Sequence, residues 1–155
     1  MDTGIAFSQE GKEKEEIFEG VLIKQRHIEK LKPMAKSALG STEKFRLKLF
    51  ATAIFMLTQE YAATVNTIVI DREWDGKEGL IKNYLYHFYQ RNLLIDQKKY
   101  PEIRVEEVHQ AVEGTPYCHE LAYDIREGNK EPYIVSNFSF LKGMVLPSAG
   151  NGRNT

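Results

Sequence analysis

Thr64-Val65-Asn66-Thr67-Ile68-Val69-Ile70-Asp71 decides how the chain is read. Its second half is short, β-branched and apolar. That composition predicts a strand buried on both faces, as in α/β proteins. A strand of this kind delivers the residue after it to the carboxyl edge of the sheet. In open α/β sheets ligands bind outside that edge. Asp71 therefore becomes the first candidate functional residue, because a carboxylate there can hold a divalent cation. The competing role is structural: Asp71 as a cap on the turn Glu73-Trp74-Asp75-Gly76.

Outward from this strand, the flanking segments alternate between helical and extended patterns. On the N-terminal side, Phe45, Leu49, Thr52, Ala53, Met56 and Tyr61 recur at roughly helical spacing and predict the longest helix. Its second half is apolar on most sides, which predicts packing between the sheet and another helix. Gly40 ends the helix before it and Ser41 caps it. That earlier helix, Arg26 to Ala38, contains Pro33 and is expected to kink or to split. Gly4-Ile5-Ala6-Phe7 and Ile17 to Ile23 read as two strands of a hairpin around the charged loop Gly11 to Glu16.

On the C-terminal side, Asp75-Gly76 makes a turn and Glu78 to Leu94 reads as a helix. Ile103 to Val108 reads as a strand. Thr115-Pro116 is a helix start, with a cap residue followed by proline at the first helical position. That helix runs to Arg126 and stops at Gly128. Tyr133-Ile134-Val135 reads as a last strand or an extended segment. The expected architecture is a mixed sheet with an N-terminal antiparallel hairpin and helices packed on it. It forms one domain over residues 1–146, with a small, polar, Gly-rich flexible tail over 147–155.

Bulk properties narrow the function. The chain has 155 residues, of which 42% are hydrophobic and 28% charged, the composition of a single globular core rather than of a disordered chain. With 21 basic and 22 acidic residues the net charge is −1. Any nucleic-acid contact must then come from a local patch or from cations that offset the acids. The one cysteine, Cys118, rules out an internal disulfide and a multi-cysteine zinc site. Met1-Asp2-Thr3-Gly4 lacks the basic and apolar regions of a signal peptide, and Ala51 to Leu57 is too short to span a bilayer. The cytoplasm is the expected compartment and no membrane partner is expected. Asn137-Phe138-Ser139 matches the glycosylation sequon, by chance in that compartment.

Four further features bear on chemistry. In Thr115-Pro116-Tyr117-Cys118-His119-Glu120-Leu121-Ala122, a turn of ~100° per residue puts Cys118, Leu121, Ala122 and Ile125 on one stripe facing the core. His119 lies at its margin, able to reach a site beside the helix start; the alternative is a partly exposed histidine bonded to backbone or carboxylate. Asp2 directly precedes the first hairpin strand, or is simply terminal. Glu43 sits in the first turn of the long helix, where the helix dipole favours an acid in any case; Glu60 is an alternative at the other end. Tyr84, Tyr86, His87, Phe88 and Tyr89, beside Arg91, either stack on bases or form a large buried helix face with tyrosine tips in water. The second reading is preferred. Lys98-Lys99 and Lys24 to Arg26 read as solvated surface.

The segment Ile103 to Arg126, IRVEEVHQAVEGTPYCHELAYDIR, resembles the last strand and final helix of ribonuclease H-like domains. TPYCHELA is similar to the PIWI pattern, where a histidine takes the fourth ligand position. TVNTIVID resembles the central strand that ends in the catalytic aspartate. The resemblance extends to uncharacterised ribonuclease H-like families with an extra helix before the long one, as at Arg26 to Ala38. It implies a catalytic set of Asp2, Glu43, Asp71 and His119, with Asp2, Asp71 and His119 as metal ligands. It also implies a Mg²⁺- or Mn²⁺-dependent nuclease acting on RNA or DNA. In such sites two ions ~3.5–4 Å apart activate a water and stabilise the leaving oxygen, and an imidazole leans toward manganese. Only Met1 precedes Asp2, so the family's first strand is expected to be missing or reduced. With it comes the alternative of a catalytically inactive ribonuclease H-like module that binds protein or nucleic acid.

Overall fold

A computed structural model of the chain describes residues 3–8, 18–107 and 116–147, with backbone alone for residues 7, 8, 18, 19 and 116–121. It is a mixed α/β protein. Strands β1 (Thr3–Ser8) and β2 (Phe18–Ile23) pair antiparallel, with Thr3 opposite Ile23 and Ser8 opposite Phe18. The predicted hairpin pairing is therefore present; its loop, Gly11 to Glu16, lies outside the described residues. Helices α1 (Gln25–Leu39) and α2 (Thr42–Thr58) follow, then β3 (Thr67–Asp71) and α3 (Glu78–Asn92). A 3₁₀ turn at Gln97–Lys99 leads into β4 (Glu102–Glu106). Helix α4 (Pro116–Glu127), the short strand β5 (Ile134–Val135) and helix α5 (Phe138–Val145) complete the order. Residues 148–155, which include almost all of the expected tail, lie outside the described residues. Among the described residues no helix is long and apolar enough to cross a membrane.

The local signals act where they were read. Ser41 Oγ accepts from the Lys44 amide at 3.1 Å and caps α2, a contact that contributes about 1 kcal/mol. Gly40 takes a left-handed φ of 87° to end α1. Gly76 and Gly128 do the same at the turn before α3 and after α4. Of the two outcomes expected at Pro33, the split does not occur: α1 runs through it as one helix. Pro33 lies on the exposed side of α1, so the Glu29 carbonyl that loses its partner can turn to water.

Two expectations about the sheet are corrected. The strands form two ladders rather than one sheet: β1-β2-β5, with β5 parallel to β2, and β3-β4, which is parallel. And β3 is not buried on both faces. Ile68 and Ile70, with Ile103 and Val105 from β4, pack into a core built with α2 and α3 around Leu47, Phe55, Leu85 and Phe88. By the two-residue period of a strand, Thr67, Val69 and Asp71 point the other way, and none of these three is fully buried.

Helix α2 carries both cores. One side meets β3, β4 and α3. The other joins Val21 and Ile23 of β2 with Leu31 of α1 and Leu141 of α5, through Phe45, Leu49, Ala53 and Met56. From Ala51 to Thr58 every α2 residue is buried, as the all-round apolar pattern predicted. On the reverse face of the hairpin lies α4, where Ile125 packs against Leu22 and Ala6. The approach is close enough to require glycine in both strands. A Cβ on Gly4 would strike the Ala122 carbonyl oxygen, and one on Gly20 would strike Ile125 Cδ1. Helix α5 was not anticipated. Asn137, read as part of a sequon, is its cap, accepting from the Phe140 amide at 3.1 Å.

Candidate functional site

The carboxyl end of the β3-β4 ladder is the best-defined polar site. The strands run parallel with Asp71 in register with Glu106. Register partners on adjacent strands sit ~4.8 Å apart and project from the same face. Two carboxylates thus emerge side by side from the face turned away from α2 and α3. The Arg72 amide donates to the Glu106 carbonyl at 3.1 Å, which holds the two strand ends together beyond the ladder. Arg104 Nη2 lies 3.6 Å from Glu106 Oε1 and offsets part of the charge.

Glu43 reaches the same edge from the helix side. Its carboxylate lies 3.4 Å from Lys77 Nζ, while Glu78, the next residue, pairs with Arg72 at 3.1 Å. The starts of α2 and α3 are therefore laced to the end of β3 by alternating charges. Glu43 is more than half exposed and its partner is a lysine, so in this geometry it fastens two helix starts, whereas Asp71 faces the opposite side of the ladder.

His119 falls in the first turn of α4, with its side chain outside the described residues, and Asp2 lies outside them altogether. The described part of α4 bears out the stripe that positions this helix: Ala122 and Ile125 face the hairpin. Helix α4 covers the hairpin face turned away from α2, and the Asp71–Glu106 pair projects from the face of the other ladder turned away from α2 and α3. Among the described residues no three His, Cys, Asp or Glu side chains gather closely enough to hold a metal ion. Asp71 and Glu106 form a pair.

Sequence reasoning missed Glu106. The signal was present: Arg104-Val105-Glu106 ends a second alternating strand on an acid, as Ile68 to Asp71 does. Reading it required knowing that β3 and β4 are neighbours in parallel register. The aromatic helix has the large buried face expected of it, but the tips of Tyr86 and Tyr89 bond to protein rather than to water, Tyr89 to Thr58. Phe88 and Tyr89 are buried, and the Tyr86 hydroxyl donates to the Pro101 carbonyl at 3.2 Å.

The chain matches no family model, no curated protein and no solved structure.

Proposed function

We propose that this protein is a ribonuclease H-like phosphodiester hydrolase that uses Mg²⁺ or Mn²⁺ and acts on RNA or DNA. The observation that supports it most directly is the register of Asp71 with Glu106 at the carboxyl end of two parallel strands, where ligands of α/β sheets bind. The donor set fits a hard divalent cation, which prefers carboxylate oxygen. Asp71 and Glu106 would hold it, with Asp2 and His119 as the further ligands that the resemblance implies. A cation bound there supplies an activated water and neutralises the leaving oxygen. The chain's own contribution is to fix two carboxylates on one rigid face, and to keep Arg104 beside them to orient a phosphate.

The test is cleavage of labelled RNA, DNA and their hybrid by the full chain with Mg²⁺ or Mn²⁺. EDTA should abolish cleavage, and so should Asp71→Asn. Undiminished metal-dependent cleavage by Asp71→Asn overturns the proposal.

A second reading, a non-catalytic module of the same fold, is favoured by Arg104, which supplies Glu106 with positive charge from within the chain. It expects no rise in melting temperature with Mn²⁺, since nothing would bind the ion selectively in the folded state. A rise that disappears in Glu106→Gln counts against it.

A further inference from the structure

Helices α2 and α3 each carry more basic than acidic residues although the chain as a whole is slightly acidic. Helix α2 carries Lys44, Arg46 and Lys48, and α3 carries Lys82, His87 and Arg91. Each helix has a single acid, and both acids are engaged outside the two helices: Glu43 with Lys77, Glu78 with Arg72. No carboxylate of the described residues lies within ion-pair distance of Lys48, His87 or Arg91.

These three cations converge. Tyr84, His87 and Arg91 follow one another at three- and four-residue spacing, which aligns them on one face of α3. Lys48 of α2 reaches across and sets its ammonium 5.6 Å from the centre of the Tyr84 ring. Lys48 is half-buried between the helices. Its pKa is held below the usual lysine value, first by that burial and then by Arg91. The His87 imidazole is likewise held low by partial burial and then by Arg91 and Lys48. Lys48 is the half-buried member and His87 and Arg91 lie exposed beside it; like charges brought together around a partly desolvated ammonium are unfavourable unless something neutralises them.

We propose that Lys48, His87 and Arg91 form a binding site for a phosphate-type oxyanion in the groove between α2 and α3. The donor set argues for phosphate over a lone carboxylate. An ammonium, an imidazolium and a planar guanidinium present donors from three directions, which suits a multiply charged anion with several equivalent oxygens. Lys44, one turn before Lys48 on the same side of α2, extends the positive groove toward the helix starts. The same chemistry is met by a free phosphate or by the backbone of a polynucleotide. The groove lies on the helix-bearing side of the ladder, away from Asp71 and Glu106, so the site stands independently of the metal-dependent reading.

The test follows the His87 ring by NMR through a pH titration of the full chain, in sodium phosphate and in sodium chloride of equal ionic strength. In phosphate the midpoint should move upward by about half a unit or more, because a bound anion favours the imidazolium. Arg91→Gln should abolish the phosphate-specific movement. So should Lys48→Met, which removes the half-buried charge and keeps an unbranched apolar stem in its place. Lys36→Gln, on exposed α1, should keep it. Equal midpoints in the two salts, or a phosphate-specific movement that survives in Arg91→Gln, overturn the proposal. Repeating the titration with oligothymidylate identifies the source. Action at a far lower phosphate concentration than the inorganic ion assigns a polynucleotide, and action by the inorganic ion alone assigns a small phosphate.

Discussion

The hydroxyls of Thr58 and Tyr89 lie 2.6 Å apart at the buried ends of α2 and α3, and a third atom fixes the direction of the bond. Thr58 Oγ1 already spends its one proton on the Ile54 carbonyl at 2.8 Å. The Tyr89 phenol is therefore the donor. Burial pushes this phenol up to about 12. The unfolded chain releases the proton near pH 10, before the folded protein does. Stability is thus fully present below pH 10 and falls as pH rises toward about 12. Tyr89→Phe should flatten this alkaline limb. At neutral pH it should cost about 1 kcal/mol, because Thr58 keeps its other partner. Thermal melts from pH 8 to 12 check both.

On the acid side the sign is reversed. His87 has a folded pKa below the ordinary 6.5, from desolvation first and then from Arg91 and Lys48. The unfolded chain binds its proton more readily, so protonation penalises the folded state and stability rises with pH up to about 6.5. In phosphate-free buffer, His87→Gln should flatten the melting-temperature profile between pH 5 and 7. An unchanged profile would remove His87 as its source.

The hairpin and α4 depend on two missing side chains. Gly4→Ala should be the more damaging, because the added Cβ meets the backbone carbonyl of Ala122, which cannot rotate away. Gly20→Ala clashes mainly with the tip of Ile125, with the Ile5 carbonyl oxygen a tight 3.2 Å away. Combining it with Ile125→Val removes that tip, so the double variant should be more stable than the sum of the single losses, by about 1 kcal/mol or more. Chemical denaturation of the four proteins measures the coupling.

Ser136 ties the entrance of α1 to the end of β5. Its hydroxyl accepts from the Lys24 amide at 3.0 Å and lies 2.7 Å from His27 Nδ1. Ser136 is buried, so Ser136→Ala should cost about 1–3 kcal/mol. Faster amide exchange should appear in the first turn of α1, with α3 unaffected.

Signals contained in a short local stretch were legible in the sequence. Gly40-Ser41 marks the end of one helix and the cap of the next, and Thr64 to Asp71 reads as a strand delivering an acid. What escaped was set by neighbours distant in the chain. The one-sided burial of β3 follows from two helices sharing its single covered face, and β-branching alone does not reveal which face that is. Glu106 matters only through its register with Asp71. The cationic groove joins Lys48 to His87 and Arg91 across the packing of two helices, so no local window contains it. Helix α5 was hidden because Asn137 fits a sequon as well as a cap. Its Phe138, Leu141 and Val145 spacing, at three and four residues, was the available clue.

Because α2 is shared by both cores, it couples two ladders that have no strand pairing with each other among the described residues. A force or a bound partner that shifts the hairpin has this helix as its rigid lever arm toward the β3-β4 edge. The start of the lever, at Glu43, is hinged to Lys77 only five residues beyond Arg72, so tilting α2 would re-aim the turn that follows Asp71.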